Sequence, residues 1–230
     1  MLKKLTDAFL KTSPKLFLSI GLLLVLLTYY QTIFQELVYY YNYIINKHFK
    51  VEVVRNVTKI NPEIISKINT DPTAISIKPV DTNFGIVIEN INVNAPIVKD
   101  VSIIDTSSYL ESLKRGVAHA SFSGYPSEQN SNVYLFAHSS NNFWELGKYS
   151  SVFNLTYKLN IKDQINLFYE GRRYIYEIEN KLLVNDFKVD ETAYEYLGPT
   201  LTLQTCYPTG TSLYRLIIRA TLIGVYDYSN

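Results

Sequence analysis

The chain has 230 residues, of which 47% are hydrophobic and 19% charged, so it can bury a core and is neither disordered nor collagen-like. Its 22 lysines and arginines against 21 aspartates and glutamates leave a formal charge of +1, which gives no general attraction to nucleic acid, and we expect no nucleic-acid partner. It contains one cysteine, Cys206, so no intramolecular disulfide can form, and this thiol is either a buried small side chain or a reactive group.

The first element is an uncharged stretch over residues 16–35, whose 20 residues would cross the hydrocarbon layer of a membrane as a helix. No short apolar core with a small-x-small cleavage site is evident, so the stretch is predicted to be an uncleaved signal anchor. Four lysines and one aspartate precede it, and this positive bias predicts that residues 1–15 form a cytoplasmic tail. The chain is therefore predicted to cross the cell membrane once, in contact with membrane lipid, with the remainder outside.

Residues 36–72 are predicted to form a juxtamembrane helix and a stalk of mixed helix and loop, which ends at the turn-forming Asn-Thr-Asp-Pro of residues 69–72. The tyrosines between residues 29 and 43 fit an interfacial aromatic belt, and they also fit an aromatic helix that packs on the folded domain. The sequence leaves both interpretations open. Residues 73–230 are predicted to form the folded extracytoplasmic domain.

The rest of the chain is rich in β-branched and aromatic residues, with 20 tyrosines and 11 phenylalanines, which favours strands. Strands are predicted over residues 74–80, 85–93, 133–137, 164–169, 172–179, 201–205 and 214–226. Short helices are predicted over residues 107–113 and 142–148. Many short strands at moderate spacing predict a mainly β fold that closes, or nearly closes, into a barrel.

Two of these strands end on residues that can support acyl transfer. The run Leu-Thr-Leu-Gln-Thr-Cys ends on Cys206 and is followed at once by a turn, and the strand before residue 138 ends on His138. Arg215 begins the next strand, and if the two strands are neighbours, Arg215 lies beside Cys206. A thiol with a free pKa of about 8.5 is mostly protonated at neutral pH, so a nearby imidazole or guanidinium is its usual activator. The three residues are candidates for attack, proton transfer and stabilisation of a developing oxyanion.

Three neighbouring features have alternative interpretations. Arg219 lies four residues after Arg215 on the same face of the strand and could be a surface ion-pair partner or a second substrate contact. Trp144 is predicted to be an anchor that caps the barrel, and the alternative is a platform for a ligand. A zinc site built from Cys206 and the histidines would lack the closely spaced Cys/His pair of structural zinc sites, so we predict no metal and no other cofactor.

The segment around Cys206 resembles the active-site signature of the sortases, which are membrane-anchored cysteine transpeptidases. Thr-Leu-Gln-Thr-Cys matches their Thr-Leu-x-Thr-Cys pattern, and Tyr-Arg-Leu-Ile-Ile at residues 214–218 is similar to the strand that carries their essential arginine. Asn-Ala-Pro-Ile at residues 94–97 and Arg-Gly-Val-Ala-His ending at His119 are similar to two further family segments. The similarity covers about residues 73–226, and it departs from the pattern at Ala137, where many members carry glycine.

The resemblance implies a sortase-like barrel of eight strands and a two-step acyl transfer by Cys206, His138 and Arg215. The substrate would be a secreted protein or pilin with a C-terminal sorting signal similar to Leu-Pro-x-Thr-Gly. The acceptor would be an amine of a cell-wall precursor or a lysine of a pilin subunit. Thr205, His119 and Ala137 are predicted to bind substrate, and for His119 the alternative is a positioning or packing role.

Two other functions remain open at the level of sequence. An L,D-transpeptidase is a rival cysteine acyltransferase, although the His-Gly and Ser-x-Gly-Cys elements expected of it are absent, and a thiol protease would be the hydrolytic variant of the same chemistry. A membrane-tethered binding module without catalysis is the alternative from a different class. Unprocessed substrate accumulating in a folded Cys206→Ala variant would distinguish an enzyme from such a module.

Overall fold

The computed structural model describes residues 2–52, 74–139, 149, 151–185 and 198–228. Within them the chain forms two α-helices, α1 (Leu2–Ile44) and α2 (Thr106–Arg115), and 3-10 turns at Glu89–Ile91 and Thr156–Lys158. The strands are β1 (Phe49–Val51), β2 (Ile75–Ile77), β3 (Phe84–Ile88), β4 (Val93–Val101), β5 (Val117–Ala120), β6 (Ser131–Phe136), β7 (Gln164–Tyr169), β8 (Arg172–Val184), β9 (Pro199–Tyr207) and β10 (Tyr214–Asp227).

Eight of the strands close into a barrel in the order β10-β8-β7-β3-β4-β5-β6-β9. Two neighbouring pairs, β4 with β5 and β6 with β9, are parallel, and the other described pairs of the barrel are antiparallel. The mainly β, eight-stranded barrel predicted from the sequence is confirmed. Closure leaves no free edge on the barrel, so each strand has neighbours on both sides to fix its register.

Alternate side chains of each strand point into the barrel and form its core, because successive side chains of a β-strand point to opposite faces. On β9 and β10 the inward side chains are Leu201, Leu203, Leu216, Ile218 and Ala220, all of which belong to the main hydrophobic cluster. The alternating positions of these two strands therefore face away from that core. Several of those outward positions carry polar side chains.

The predicted strands agree with the structure best where polar turns flank them. β7 has the predicted bounds, and β8, β9 and β10 extend their predicted runs by one to five residues at an end. The run over residues 85–93 instead contains the end of β3, the turn at Glu89–Ile91 and the start of β4. Asn92 takes a left-handed conformation, with φ of 52°, and reverses the chain between these two antiparallel strands. The helix predicted over residues 142–148 and Trp144 lie outside the described residues.

Helix α1 includes the predicted anchor and continues well beyond it. Its segment Pro14–Ile44 is long and apolar enough to cross a membrane, and it is the one such helix among the described residues. Side chains 14–30 are exposed, whereas partly covered side chains recur between residues 31 and 42 at intervals of three or four residues. That spacing marks one helix face packed on the barrel. The aromatic juxtamembrane segment is therefore, at least in part, a docking helix.

A second, smaller sheet lies beside the barrel. Strands β1 and β2 pair in parallel, and Val51 and Ile77 pack with Val87, Phe168 and Tyr228 in a separate cluster. β1 falls within the segment predicted as a stalk, so the folded domain recruits residues before position 73. Most of the predicted stalk, residues 53–72, lies outside the described residues.

Candidate active site

The candidate site lies on three adjacent strands at one end of the barrel. β9 pairs with β10 in antiparallel register, which places Arg215 directly opposite Cys206. On its other side β9 pairs in parallel with β6, whose last paired residue, Phe136, is opposite Gln204. His138 follows Phe136 by two residues, so it leaves β6 at the level where Cys206 ends β9. Strand pairing thus brings the three predicted residues to the same end of the sheet formed by β10, β9 and β6, which we call the seam.

Cys206 and Arg215 also share a face of the sheet. Residues opposite each other on paired strands point to the same side, and alternate residues along one strand do too. The inward positions of these strands are held by Leu203 and Leu216. Cys206 and Arg215 therefore point outward, into a site on the outer surface of the barrel, and both are partly exposed.

Hydrogen bonds hold the residues that follow β6 against the end of β9 and the loop after it. The hydroxyl of Ser139 donates a hydrogen bond to the carbonyl of Cys206, and the backbone N–H of Gly210 donates to the carbonyl of Ser139 at 2.7 Å. The residue that follows His138 is thus bonded both to β9, at Cys206, and to the loop after β9. This arrangement limits how far the imidazole and the thiol can separate.

His138 has a further contact from helix α2. Tyr109 stacks on Phe136 with 5.3 Å between ring centroids, and its ring meets that of His138 edge to face at 6.0 Å. The helix begins at Asp105, whose side chain caps the first turn by accepting from the backbone of Ser107. Tyr109 is a residue of the candidate site that the sequence did not reveal, because the sequence showed only that it lies near the start of a predicted helix.

Arg215 lies beside the loop that joins β9 to β10. Its Nη1 donates to the carbonyl of Ser212 at 3.3 Å and lies 3.5 Å from that of Tyr214. The guanidinium carries five N–H donors in a fixed planar fork, a geometry that suits the binding of oxygen acceptors. Arg219, the other arginine on this face of β10, is opposite Thr202, two outward positions further from Cys206.

Thr205 and Ala137 lie behind the predicted nucleophile rather than in front of it. The hydroxyl of Thr205 donates to the carbonyl of Ala137 at 3.0 Å, and the N–H of Ala137 donates to the carbonyl of Gln204 at 3.2 Å. Both side chains are buried. These bonds continue the β6–β9 pairing past the end of the strand, so the side chains fit a role in positioning His138 better than the predicted contact with substrate.

His119 is on the other side of the sheet. It is opposite Leu135 of β6, an inward position, and its side chain is 0% exposed. Its Nε2 lies 3.0 Å from the carbonyl of Gly124, and its Nδ1 accepts from the backbone N–H of Asp100 at 3.4 Å. Burial lowers the pKa of this imidazole, against the opposing effect of the Gly124 bond. His119 therefore fits the packing alternative, and the predicted contact with substrate is not supported.

The seam has two more polar links that the sequence did not reveal. The side-chain carbonyl of Asn132 on β6 accepts from the hydroxyls of Thr202 at 2.9 Å and Thr200 at 3.2 Å, and the hydroxyl of Tyr134 donates to Gln204. The sequence shows that these polar residues stand at alternate positions of two strands. It does not show which of them are opposite each other, because that depends on the register between β6 and β9. Among the residues that the structure describes, no group of three metal-ligating side chains is present.

Comparison with known proteins identifies the class. A model of the sortase domain matches residues 86–223, which is more than half of the chain and includes every candidate residue named above. The chain belongs to the sortase family and is, in general terms, a sortase transpeptidase. Its apolar N-terminal helix fits the membrane anchor of such an enzyme. This assignment argues against an L,D-transpeptidase.

Solved sortases share the fold at low sequence identity. Sortase C-1 from Actinomyces oris is 21% identical, with a TM-score of 0.53 over 63% of this chain and 76% of that one. Sortase C1 from Streptococcus agalactiae is 23% identical, with a TM-score of 0.52 over 64% and 70%. Sortase E1 from Streptomyces coelicolor, solved with a tripeptide in its active site, is 19% identical, with a TM-score of 0.51 over 64% and 91%. No curated protein matches the chain.

Proposed function

We propose that the chain is an extracytoplasmic transpeptidase that cleaves a C-terminal sorting motif similar to Leu-Pro-x-Thr-Gly and transfers the new carboxyl end to an amine. Cys206 is the nucleophile, His138 the proton-transfer group and Arg215 the stabiliser of the oxyanion. The observation that carries this proposal is the register that pairs Cys206 with Arg215, on one outward face and beside the strand that ends at His138.

The first step forms a thioester. The Cys206 thiolate attacks the carbonyl carbon of the substrate threonine, and the negative charge that develops on the carbonyl oxygen faces the guanidinium of Arg215. As the intermediate collapses, the C–N bond breaks and His138 donates a proton to the departing amine. The acyl group remains on Cys206, and the downstream peptide leaves.

The second step returns the enzyme to its starting state. An acceptor amine gives its proton to His138 and attacks the thioester carbonyl, and the C–S bond breaks to release the thiolate. The acceptor is an amine of a cell-wall precursor or a lysine of a pilin-like subunit. Support for the pilin alternative is that a solved relative is the sortase C1 of a streptococcal pilus island, and a Streptococcus pneumoniae sortase C is described in terms of its pilin substrate specificity.

A transfer assay with the full chain tests the proposal. The chain is incubated with a panel of Leu-Pro-x-Thr-Gly peptides and either a glycine-type amine or a lysine-containing peptide, and the ligated product is quantified by mass spectrometry. We expect product with one acceptor class, and none from Cys206→Ala or His138→Ala variants whose circular dichroism is unchanged. A folded wild-type chain that processes no peptide of the panel would favour the binding module without catalysis.

We also propose a topology for the chain. Residues 1–15 lie in the cytoplasm and the barrel lies outside, because the lysines precede the apolar part of α1. Sorting signals of secreted proteins would then meet the enzyme on the outer side of the membrane. Protease added to intact cells is expected to digest the barrel and to spare the N-terminal tail.

A further inference from the structure

Helix α1 crosses one end of the barrel, and its contacts show which parts of the barrel lie beside which part of the helix. A side-chain carbon added to Gly210, in the β9–β10 loop, would lie 3.4 Å from Cε1 of Tyr29. Further along the helix, Gln35 donates to the hydroxyl of Ser151 at 2.8 Å, and Glu36 forms an ion pair with Lys158 at 3.0 Å. Of these three contacts, the one with the loop that follows Cys206 is made nearest to the N-terminus of the helix.

The far end of the helix reaches the opposite side of the barrel. A cavity of about 740 Å³ is lined both by helix residues around Asn42 and by the β3–β4 connection around Asn90. In the ring of eight strands, β3 and β4 stand diametrically across from β9 and β10. The helix therefore spans the end of the barrel from the side formed by β9 and β10 to the side formed by β3 and β4. If α1 stands in the bilayer, the side formed by β9 and β10 is the one nearer the membrane.

The depth of that side of the barrel follows from helix geometry. The uncharged stretch ends at Gln35, six residues after Tyr29, and a rise of 1.5 Å per residue makes this about 9 Å along the axis. If the helix stands upright in the bilayer, the Gly210 contact lies about 9 Å below the end of the uncharged stretch. Interfacial helices bury their apolar face about 5–10 Å into the boundary between headgroups and acyl chains, which is a comparable depth.

The composition of the loop suits that environment. Residues 208–214 carry no charge, and Leu213 and Tyr214 are 67% and 44% exposed. A tyrosine with one apolar side and a polar tip is typical of the level of the headgroups. Arg215 follows at once, and a long cationic side chain at this boundary can keep its charged end in the polar layer.

We propose that the β9–β10 loop of residues 208–214 lies in the membrane interface, with Leu213 and Tyr214 in contact with lipid. Cys206 and Arg215 then open at the surface of the bilayer rather than above it. The membrane is accordingly a partner of the barrel itself as well as of the anchor helix. This contact is independent of whether the thiol reacts.

Depth-dependent fluorescence quenching tests the proposal on the full chain. The single native tryptophan is removed by Trp144→Phe, and tryptophan is introduced by Leu213→Trp, by Leu24→Trp in the apolar part of α1, or by Ile104→Trp. Ile104 is the matched control because it is 91% exposed and apolar but follows β4, on the far edge of the barrel. Each variant is reconstituted in vesicles of phosphatidylcholine with or without bromine on the acyl chains, and its thermal unfolding is compared with that of the parent.

The expected order of quenching is Leu24→Trp, then Leu213→Trp, then Ile104→Trp. Quenching at position 213 should exceed that at position 104 by roughly twofold or more if the loop enters the interface to the depth of an interfacial helix. Tyr214→Trp serves as a second reporter on the same loop should Leu213→Trp unfold. Equal quenching of the loop and of Ile104→Trp, or no quenching of Leu24→Trp, would overturn the proposal.

Discussion

Cys206 and Arg215 occupy paired positions on adjacent antiparallel strands, so no loop needs to move to bring them to one face. Because side chains alternate along a strand, a shift of register by one residue would turn Arg215 toward the core. Leu216 and Ile218 oppose such a shift, since both are buried inside the barrel and their loss from it would expose apolar surface. The geometry of the candidate site is therefore maintained by the core.

Arg215 and Arg219 give a matched pair for testing the site. Both are outward residues of β10, but only Arg215 is opposite the thiol. Removing one donor to an oxyanion typically lowers kcat by about 10²–10³-fold, and we expect Arg215→Ala to lower kcat/KM by that order. Arg219→Ala should change it by about twofold, as a surface substitution does.

The assay is steady-state transfer of a fluorogenic sorting peptide. Arg215→Lys should recover only part of the loss, because an ammonium group cannot reproduce the planar fork of a guanidinium. If Arg219→Ala were the more damaging of the two alanine substitutions, the oxyanion role assigned to Arg215 would be wrong.

His119 predicts a pH dependence of stability rather than of catalysis. Burial lowers its pKa in the folded chain, so between that pKa and the unfolded value of about 6.5 the unfolded chain binds more protons. The free energy of unfolding contributed by the neutral ring is therefore complete above about pH 6.5 and is lost as the pH falls. We expect the melting temperature of the wild type to fall more steeply from pH 7 to pH 5 than that of His119→Gln. Parallel curves for the two proteins would contradict this account.

At the level of single residues, much of the site could be predicted from the sequence. Cys206 and His138 are recognisable because each stands where an apolar strand gives way to a polar loop. Thr205 illustrates the limit: it adjoins Cys206 in sequence, and for that reason it points to the opposite face. His119 and Tyr109 could not be placed because their partners lie on other elements, and sequence spacing does not give the register between elements.

Among the elements, the boundaries found from the sequence depend on how clearly turns interrupt the apolar pattern. β7 is bounded by Lys162-Asp163 and by Glu170-Gly171, and its limits were predicted correctly. β4 was missed for the most part, because alternation continues through the tight turn at Glu89–Ile91 and because Pro96 lies within the strand. β5 has only four residues and carries no periodic signal of its own.

The docking of α1 on the barrel depends on a cluster around Lys158. Its ammonium group pairs with Glu36 and lies over the rings of Tyr39 and Tyr40 at 4.8 and 4.5 Å from their centroids. Burial acts to lower the pKa of Lys158, but hydrogen bonds to Glu36 and to tyrosine hydroxyls outweigh it and raise the pKa above its usual range. The lysine therefore stays charged and needs its partner. Tyr157, which donates to the same carboxylate, also contacts Tyr207, the residue after Cys206.

Glu36→Gln should consequently destabilise the chain. The side chains of Lys158 and Glu36 are 11% and 25% exposed, and loss of a hydrogen-bonded charge partner at such a site costs about 1–3 kcal/mol. The matched control is Glu111→Gln, which breaks an ion pair with Lys114 whose side chains are 62% and 51% exposed, and it should cost no more than about 0.5 kcal/mol. Thermal unfolding of the full chain in detergent measures both. Equal shifts in the two variants would show that the α1 contact contributes no more than a surface pair.

For the whole molecule, the barrel could be predicted from strand number and spacing, whereas the path of α1 could not. Nothing in the tyrosines of residues 29–43 distinguishes a belt in the membrane from a face on the barrel. In the structure Tyr39 packs against the main core, whereas Tyr41 and Tyr43 are exposed, so the segment contains both docked and exposed tyrosines. The C-terminal part of α1 is therefore also part of the folded domain. A soluble form of the protein should keep this part of the helix.

Two soluble fragments test this integration. A fragment that begins at residue 31 keeps the helix face with Gln35, Glu36 and Tyr39, whereas one that begins at residue 45 loses it. Loss of these contacts amounts to a few kcal/mol, and each kcal/mol corresponds to about 2–4 °C for a domain of this size, so the shorter fragment should unfold roughly 5–10 °C lower. Gel filtration checks that both are monomers. Equal melting temperatures would mean that the contacts of α1 do not stabilise the barrel.

The most direct test of the central claim is to trap the acyl-enzyme. The full chain is mixed with a Leu-Pro-x-Thr-Gly peptide, quenched in acid, digested and examined by mass spectrometry. The expected result is a thioester on the peptide that contains Cys206, with the mass of the substrate up to its threonine, which disappears when an amine is added and never forms in Cys206→Ala. Cleavage of the peptide by Cys206→Ala at the wild-type rate, or turnover without an adduct on Cys206, would contradict the assignment of this residue as the nucleophile.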